Sequence, residues 1–414
     1  MIQVSKFTLD NGLRVVNNYD PSTAMVAMTV LYDVGSRDED PEMTGLAHLF
    51  EHLMFGGSAN IPAFDQAIEN AGGWNNAWTS NDFTTFYDIA PAANVETLFW
   101  LESDRMLSLA LNEAGFEAQR QVVIEEFKQV CLNKPYGDLA HHLRRILYTS
   151  HPYRWPTIGL EVKHIEQVTL DDARRFFLSH YAPNNAVLAL SGNVTDEEAQ
   201  RLAEKWFGPV PRREIQPRRY PREKPIEAPR RETVYGRVPS TMIVKAYPMV
   251  GYGEPGYLEC DLLTDLLAAG ASSRFYRNLL MKSDVITSAE ASIIGSEEPG
   301  FILVTAHLST DSDEAIARAE AEIEQQLEDL RREPITDYEL ERAKNRYESN
   351  FTFSSINFAA KSQALATAEL HGEDINETVP RYRALTAEAV HAAALRFLDP
   401  RHCATLLYRP LPQN

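Results

Sequence analysis

Residues 45–57 read GLAHLFEHLMFGG, and this short segment carries the most informative pattern of the 414-residue chain. In a helix, His48 and His52 lie on one face because they are four residues apart, and Glu51 shares that side. The apolar residues between them would bury the helix, and Gly56 and Gly57 would end it, since glycine accepts a left-handed cap. Two imidazoles with a carboxylate beside them are what a catalytic zinc site needs. The segment therefore predicts a zinc helix with His48 and His52 as ligands and Glu51 as the base.

A histidine on an apolar helix face is more often a buried core residue than a metal ligand, so chance has to be considered. The chain holds eleven histidines, and a random His-x-x-Glu-His match in such a chain has a probability of about a few per cent. The metal site is therefore the stronger interpretation of the pattern.

A third ligand is needed, because catalytic zinc sites usually combine three protein ligands with water. Residues 116–128 predict an amphipathic helix whose inward face is formed by three apolar residues, Val122, Val123 and Phe127. Glu126 shares that face, whereas Glu125 is rotated from it by about 100° towards solvent. A buried carboxylate must be paired or bound to metal. Glu126 is the predicted third ligand, with Glu125 as the alternative.

Several segments together resemble the M16 (pitrilysin) family of zinc metallopeptidases, in the branch of the mitochondrial processing peptidases and their bacterial relatives. That family carries His-x-x-Glu-His, the inverzincin order, and a distant glutamate; here Glu126 follows His52 by 74 residues. The other matching segments are FTLDNGLRV at 7–15, GGWNNAWT at 72–79, HPY at 151–153, IG at 158–159 and YAPNN at 181–185. One departure is Gln119, which stands where many members have a glutamate that assists the site.

The resemblance implies a fold and a function. The fold is α+β, with two homologous α/β-sandwich domains, each a mostly antiparallel sheet flanked by helices, which form half of a clamshell chamber. The function is that of a zinc-dependent endopeptidase with one Zn²⁺ per chain and unfolded peptides as substrates. The strand at Asn76, Ala77 and Trp78 would bind the peptide by adding it to the sheet. The alternatives are a turn role for Asn76 and core packing for Trp74 and Trp78.

A chain of this length is expected to form two domains. Residues 208–232 hold six prolines and seven arginines, a composition typical of an extended linker. We therefore predict a zinc-bearing domain at 1–210, a linker at 211–232 and an inactive homologous domain at 233–414. Aligning Gly270 with Gly56 places three residues opposite the zinc motif, namely Leu262, Asp265 and Leu266. The second copy therefore lacks metal ligands.

M16 peptidases usually present an Arg and a Tyr, seven residues apart, from the second half of the chain. Here Leu280 and Thr287 occupy these positions, and neither can donate the hydrogen bonds that stabilise an oxyanion. The resemblance then implies a heterodimer with a homologous M16 subunit that lacks zinc but carries the Arg and Tyr. A homodimer is the alternative, and Arg274 and Arg277 are near enough in sequence to substitute.

The composition of the chain limits which classes of partner and which cellular compartment we expect. The formal charge is −19, which argues against nucleic acid and is compatible either with basic peptides or with a solvated acidic surface. Three widely spaced cysteines form no disulfide framework. The N-terminus lacks the apolar core of a signal peptide, and no stretch could span a membrane. We expect a cytoplasmic protein without membrane contact. The competing function is a non-catalytic, M16-like structural subunit, but such subunits typically lose metal ligands.

Overall fold

Two β-sheets organise the chain, and the computed structural model describes residues 1–412 of it. One compact unit comprises residues 1–128, 155–220 and 350–378. The other comprises residues 129–154, 221–349 and the described residues from 379 on. The domain boundaries at 210 and 233 stay a prediction, because packing groups the chain into units that each contain several separate segments.

The first sheet has six strands in the order β1-β2-β6-β3-β5-β4. Its strands are β1 (Ser5–Thr8), β2 (Arg14–Tyr19), β3 (Met25–Tyr32), β4 (Trp74–Thr79), β5 (Thr84–Pro91) and β6 (Ala186–Gly192). Only β2 and β6 pair in parallel, and the remaining neighbours are antiparallel. The central β6 is buried along its whole length, whereas β4 alternates between exposed and half-buried residues. That alternation is expected of a strand at the edge of a sheet.

The helices flank the two sheets. In chain order they are α1 (Leu46–Leu53), α2 (Phe64–Asn70), α3 (Val95–Ser108), α4 (Glu113–Phe127), α5 (Leu139–Leu147), α6 (Val162–Glu166), α7 (Leu170–His180), α8 (Asp196–Trp206), α9 (Tyr257–Ala268), α10 (Asp313–Arg332), α11 (Asp337–Ser354), α12 (Phe358–Leu370), α13 (Thr378–Arg383) and α14 (Ala387–Phe397). No helix within residues 1–412 combines the length and the apolar character that crossing a bilayer requires.

The second sheet repeats the topology of the first. It contains β7 (Arg230–Gly236), β8 (Met242–Pro248), β9 (Ile286–Ile294), β10 (Phe301–Leu308) and β11 (Ala404–Pro410). Its order, β7-β11-β8-β10-β9, matches β2-β6-β3-β5-β4, and again the first pair alone is parallel. The helix α9 follows β8 as α1 follows β3. The predicted fold class, two related and mostly antiparallel sheets flanked by helices, is confirmed.

Two sequence assignments need correction. The strand β7 begins at Arg230, within the last three residues of the predicted linker 211–232, where no strand was expected. Exposed and half-buried residues alternate along this edge strand, and its first three residues are all charged, so its composition resembles that of a loop. The helix α12, which sequence order assigns to the second domain, instead covers the first sheet, where the Ser362 hydroxyl lies 2.7 Å from that of Thr29 on β3. Leu365 of α12 belongs to the same buried hydrophobic cluster as Leu31 of β3.

Candidate metal centre

The helix α1 is held at its N-terminus by a buried acid from the preceding loop. Gly45 at the N-cap has a φ of +92° and no side chain to cap the helix. Glu39 replaces that cap, since its two carboxylate oxygens accept the backbone N–H groups of Gly45 (2.9 Å) and Ala47 (2.8 Å). Burial raises the pKa of Glu39 well above its usual range, and these two N–H groups oppose that effect. The sequence pattern did not predict this role of Glu39, although a glycine at the N-cap position is a reason to expect a substitute for the missing side chain.

The other end of α1 differs slightly from the prediction. The helix ends at Leu53, three residues before Gly56. Of the predicted pair Gly56 and Gly57, it is Gly57 that adopts the left-handed conformation, at φ +98°. The chain needs glycine there, because an added Cβ would lie 2.8 Å from the carbonyl oxygen of Ile61.

The helix α4 brings Glu126 towards α1. Its buried residues near this point are Val123, Ile124 and Phe127. The prediction that Val122 faces inward is wrong, since Val122 is 49% exposed; the apolar face is centred one residue further along the helix, about 100° away from it. The Glu125 side chain is 69% exposed and pairs with Lys128 on the surface, so it does not serve as the alternative ligand. Gln119, seven residues before Glu126, is half-buried and supplies no carboxylate.

The three predicted ligands converge. The Nε2 atom of His48 lies 3.8 Å from Oε1 of Glu126, and Nε2 of His52 lies 3.2 Å from Oε2 of the same carboxylate. The two imidazole rings are nearly perpendicular, at 86°. One donor atom from each residue can be chosen so that all lie within 4.8 Å of one another. Within residues 1–412 this is the one group of three histidine, cysteine or acidic side chains with such spacing.

The donor set fits a zinc ion. Bonds of about 2.0–2.2 Å to two imidazole nitrogens and one carboxylate oxygen are typical of catalytic zinc, so the observed separations require only small adjustments. Burial lowers the pKa of His48 to about 4, which keeps that imidazole neutral, the form that binds metal. Hydrogen bonding with His52 holds the pKa of Glu126 below its usual range. The site therefore offers two nitrogen donors and one carboxylate.

Glu51 does not belong to the group of three candidate ligands and hydrogen-bonds to a different residue. The Thr79 hydroxyl donates a hydrogen bond of 2.5 Å to Oε2 of Glu51. Burial raises the pKa of Glu51, which makes its carboxylate a better proton acceptor. Thr79 lies within the GGWNNAWT segment, but no role was predicted for it. The period of two along a strand, which places Thr79 on the same face as Ala77, is the signal that would have identified it.

The predicted peptide-binding residues lie on the edge strand β4. The Ala77 N–H donates to Oδ1 of the preceding Asn76, at 2.8 Å. Trp74 is 51% exposed and Trp78 is 38% exposed, so neither is a core residue. The indole N–H of Trp78 donates to Oε1 of Gln363 on α12, at 3.0 Å. A substrate role for Asn76, Ala77 and Trp78 stays a prediction.

The second unit has no equivalent metal site on α9. Leu262 and Leu266, the counterparts of the two histidines, are buried in its core. Asp265, the counterpart of Glu51, has a pKa raised to about 6 by burial and lies 3.7 Å from Arg346.

The two residues at the positions expected to hold an Arg and a Tyr make structural contacts instead. Leu280 packs against the core of the second unit, and the Thr287 hydroxyl donates to the carbonyl oxygen of His307. Arg274 makes two hydrogen bonds to Glu339, at 2.9 and 3.2 Å, and is therefore a poor substitute. Arg277 is exposed.

Comparison with known proteins agrees with this geometry. Residues 14–159 match the family described as Insulinase (Peptidase family M16), and residues 167–347 match the Peptidase M16 inactive domain. The zinc protease PqqE of Helicobacter pylori is 30% identical over 351 residues, which cover 83% of this chain and 78% of the relative. The chain belongs to the M16 peptidase family. The resemblance predicted from the motifs is thereby confirmed.

One more relative and one solved structure are also similar to this chain. The beta subunit of the mitochondrial-processing peptidase of Saccharomyces cerevisiae is 32% identical over 209 residues, half of this chain and 45% of that protein. The crystal structure of a protease from Helicobacter pylori superposes with a TM-score of 0.93 at 26% identity, and the match covers 99% of this chain and 100% of that one. The fold of that protease therefore extends over nearly the whole chain.

Proposed function

We propose that this M16 chain is a zinc-dependent endopeptidase that cleaves unfolded peptides, with one Zn²⁺ held by His48, His52 and Glu126. The observation that carries the proposal is the convergence of these three donors, with Glu51 on the same helix and outside the ligand set. A purely structural M16 subunit would have no use for this arrangement, so the filled motif counts against that alternative.

The residues of the site divide the chemistry between them. When bound, a zinc ion supplies Lewis acidity, which acidifies water and polarises a peptide carbonyl. Glu51 acts as the general base: its Oε2 accepts the Thr79 hydrogen bond, which leaves Oε1 to take the proton of the attacking water. The same oxygen then gives this proton to the nitrogen of the departing amine.

The proposed substrate is an extended chain. The strand β4 pairs with β5 on one side and is last in the order of its sheet, so its outer edge can accept an added strand. Binding by strand addition requires backbone N–H and C=O groups that are free to pair. Folded proteins rarely offer such groups, and for this reason we propose unfolded peptides or oligopeptides.

The proposed active form is a heterodimer in which a homologous M16 partner supplies the Arg and Tyr. Leu280 and Thr287 offer no guanidinium or phenol, and the absence of an oxyanion donor lowers turnover about 10²–10³-fold. The name of the yeast relative describes it as a subunit, which agrees with paired function. A homodimer is the alternative, and it predicts full activity of the purified chain without any second protein.

The test is the cleavage of an internally quenched, unfolded peptide by the chain alone and after mixing with an M16 homologue that carries the Arg and Tyr but lacks His-x-x-Glu-His. Wild type, Glu51→Gln and the surface control Glu125→Gln are compared, each with and without chelator. We expect Glu51→Gln and chelation to reduce turnover by at least about 10²-fold, with no effect of Glu125→Gln. Cleavage that survives both treatments would contradict the proposal.

A further inference from the structure

The strand β4 contacts the base Glu51 on one face and the helix α12 on the other, through two neighbouring side chains. On one face, the Thr79 hydroxyl holds Oε2 of Glu51. On the other face, the indole N–H of the neighbouring Trp78 donates a hydrogen bond to Gln363 of α12. The position of the base therefore depends on the position of the last two residues of this edge strand.

The same strand has an occupied hydrogen-bond donor at its outer edge. The Ala77 N–H donates to the side-chain oxygen of Asn76 rather than to β5. In an antiparallel pair, every second residue directs its backbone N–H and C=O groups to the same side. The backbone groups of Thr79, two residues after Ala77, therefore point to the same outer edge as those of Ala77. The Asn76 amide oxygen stands where the carbonyl oxygen of an added strand would bond. Exchanging one such acceptor for another has little net cost.

We infer that β4 couples peptide binding to the position of the base Glu51. A bound peptide replaces the Asn76 side-chain oxygen as the acceptor of the Ala77 N–H and thereby fixes the end of the strand. The Thr79 hydroxyl then keeps Glu51 in position. Thr79 is thus a positioning residue, and the Asn76 side chain occupies the hydrogen-bond donor of Ala77 until substrate binds. The inference rests on the proposed function, because it assigns regulation to the same site.

The coupling has a kinetic signature. Binding energy from parts of a substrate remote from the scissile bond should raise kcat rather than only lower KM, since it fixes a group that acts in the transition state. In the wild type, kcat should increase along a series of peptides that share one scissile bond and grow in length. Without the Thr79 hydroxyl, the added length should improve KM alone.

The chain offers a matched set of variants. Thr79→Val removes the hydroxyl without a large change in shape, and Thr79→Ser restores it. Thr85→Val is the control, because Thr85 lies opposite Trp78 on β5 and its buried hydroxyl has no hydrogen-bond partner among the described residues. We expect Thr79→Val to lower kcat for the longest peptide about 10- to 100-fold, the value of a hydrogen bond to a charged group, whereas Thr79→Ser and Thr85→Val stay within about threefold of the wild type.

A second readout requires no activity. Denaturant midpoints of the metal-free protein are measured for Thr79→Val, Glu51→Ala and the double variant. Because each single change removes the same hydrogen bond, the shift of the double variant should be smaller than the sum of the single shifts. Additive shifts would overturn the proposed contact.

The two proposals fail differently. If the wild type cleaves peptides but Thr79→Val keeps its kcat and the length dependence of kcat, the coupling is refuted and the peptidase function stands. If Glu51→Gln cleaves as well as the wild type, the proposed function itself is refuted.

Discussion

At the scale of single residues, adjacent acids have opposite environments. Glu126 lies 3.2 Å from His52, whereas Glu125 pairs with Lys128 in solvent. One residue along a helix is a rotation of about 100°, which is enough to separate a ligand from a surface charge. The position of the apolar face of α4 thus determines which carboxylate can reach the metal.

The hydrogen bonds from the N-terminus of α1 to the Glu39 carboxylate give the first prediction at this scale. Glu39→Ala leaves the buried N–H groups of Gly45 and Ala47 without an acceptor, so we expect a loss of about 2–4 kcal/mol in the free energy of unfolding. Chemical denaturation checks this value. The exposed Glu42→Ala is the control and should cost less than about 0.5 kcal/mol. Equal stability of the two variants would show that Glu39 does not hold the helix.

The sequence predicted the ligands better than their supports. His48, His52 and Glu126 could be predicted because a metal requires particular donor types at helical spacing. Glu39 and Thr79 could not, because each acts through one hydrogen bond across the fold, and many acids and hydroxyls could serve. Val122 was misplaced because Val122, Val123 and Ile124 are all apolar, so periodicity alone does not centre the buried face.

At the scale of elements, regular patterns predicted the structure closely. The sequence pattern predicts a helix at 139–147 and a strand at 301–308, and α5 and β10 have these bounds. The segment 169–172 predicts a capped start of the next helix, and in α7 Thr169 and Asp172 form these reciprocal hydrogen bonds. The strand β7 was missed because it pairs in parallel with β11, a partner more than 160 residues later in the chain, and no local pattern indicates such pairing.

The connection between α5 and the segment after residue 220 gives a prediction about pH. Burial alone would raise the pKa of Glu223, but hydrogen bonds from the Thr149 hydroxyl and from the N–H groups of Thr149, Ser150 and His151 outweigh it and lower that pKa to about 2. A carboxylate with a lowered pKa in the folded state contributes stability above its unfolded pKa, and this contribution disappears as the pH falls towards 2.

The wild type should therefore be more stable than Glu223→Gln at pH 7, and the difference should shrink between about pH 4.5 and pH 2. Denaturant unfolding of both proteins across this range measures the difference. A difference that is constant with pH would show that the carboxylate charge contributes nothing.

At the scale of the whole molecule, each compact unit is built from separate segments of the chain. The first sheet depends on α12, whose Leu365 and Ala366 cover Val16, Leu31 and neighbouring residues. The duplicated topology could be predicted from the repeated order of elements. The packing of residues 350–378 on the first sheet could not, because no local pattern in a helix tells which sheet it covers.

A fragment experiment tests this dependence. We expect residues 1–210 alone to aggregate or to bind a hydrophobic dye, because one face of the sheet is uncovered. Adding residues 350–378 through a flexible linker should restore cooperative unfolding and reduce dye binding. If the fragment 1–210 unfolds cooperatively without this addition, the sequential domain boundary is also a folding boundary.

The central claim is that His48, His52 and Glu126 form one zinc site, and zinc stoichiometry after exhaustive dialysis against low-micromolar zinc tests it most directly. The wild type and Glu125→Gln should retain one zinc per chain, and His48→Ala and Glu126→Gln should retain much less than one, provided that circular dichroism shows all four folded. Retention of a full equivalent of zinc by Glu126→Gln would contradict the account.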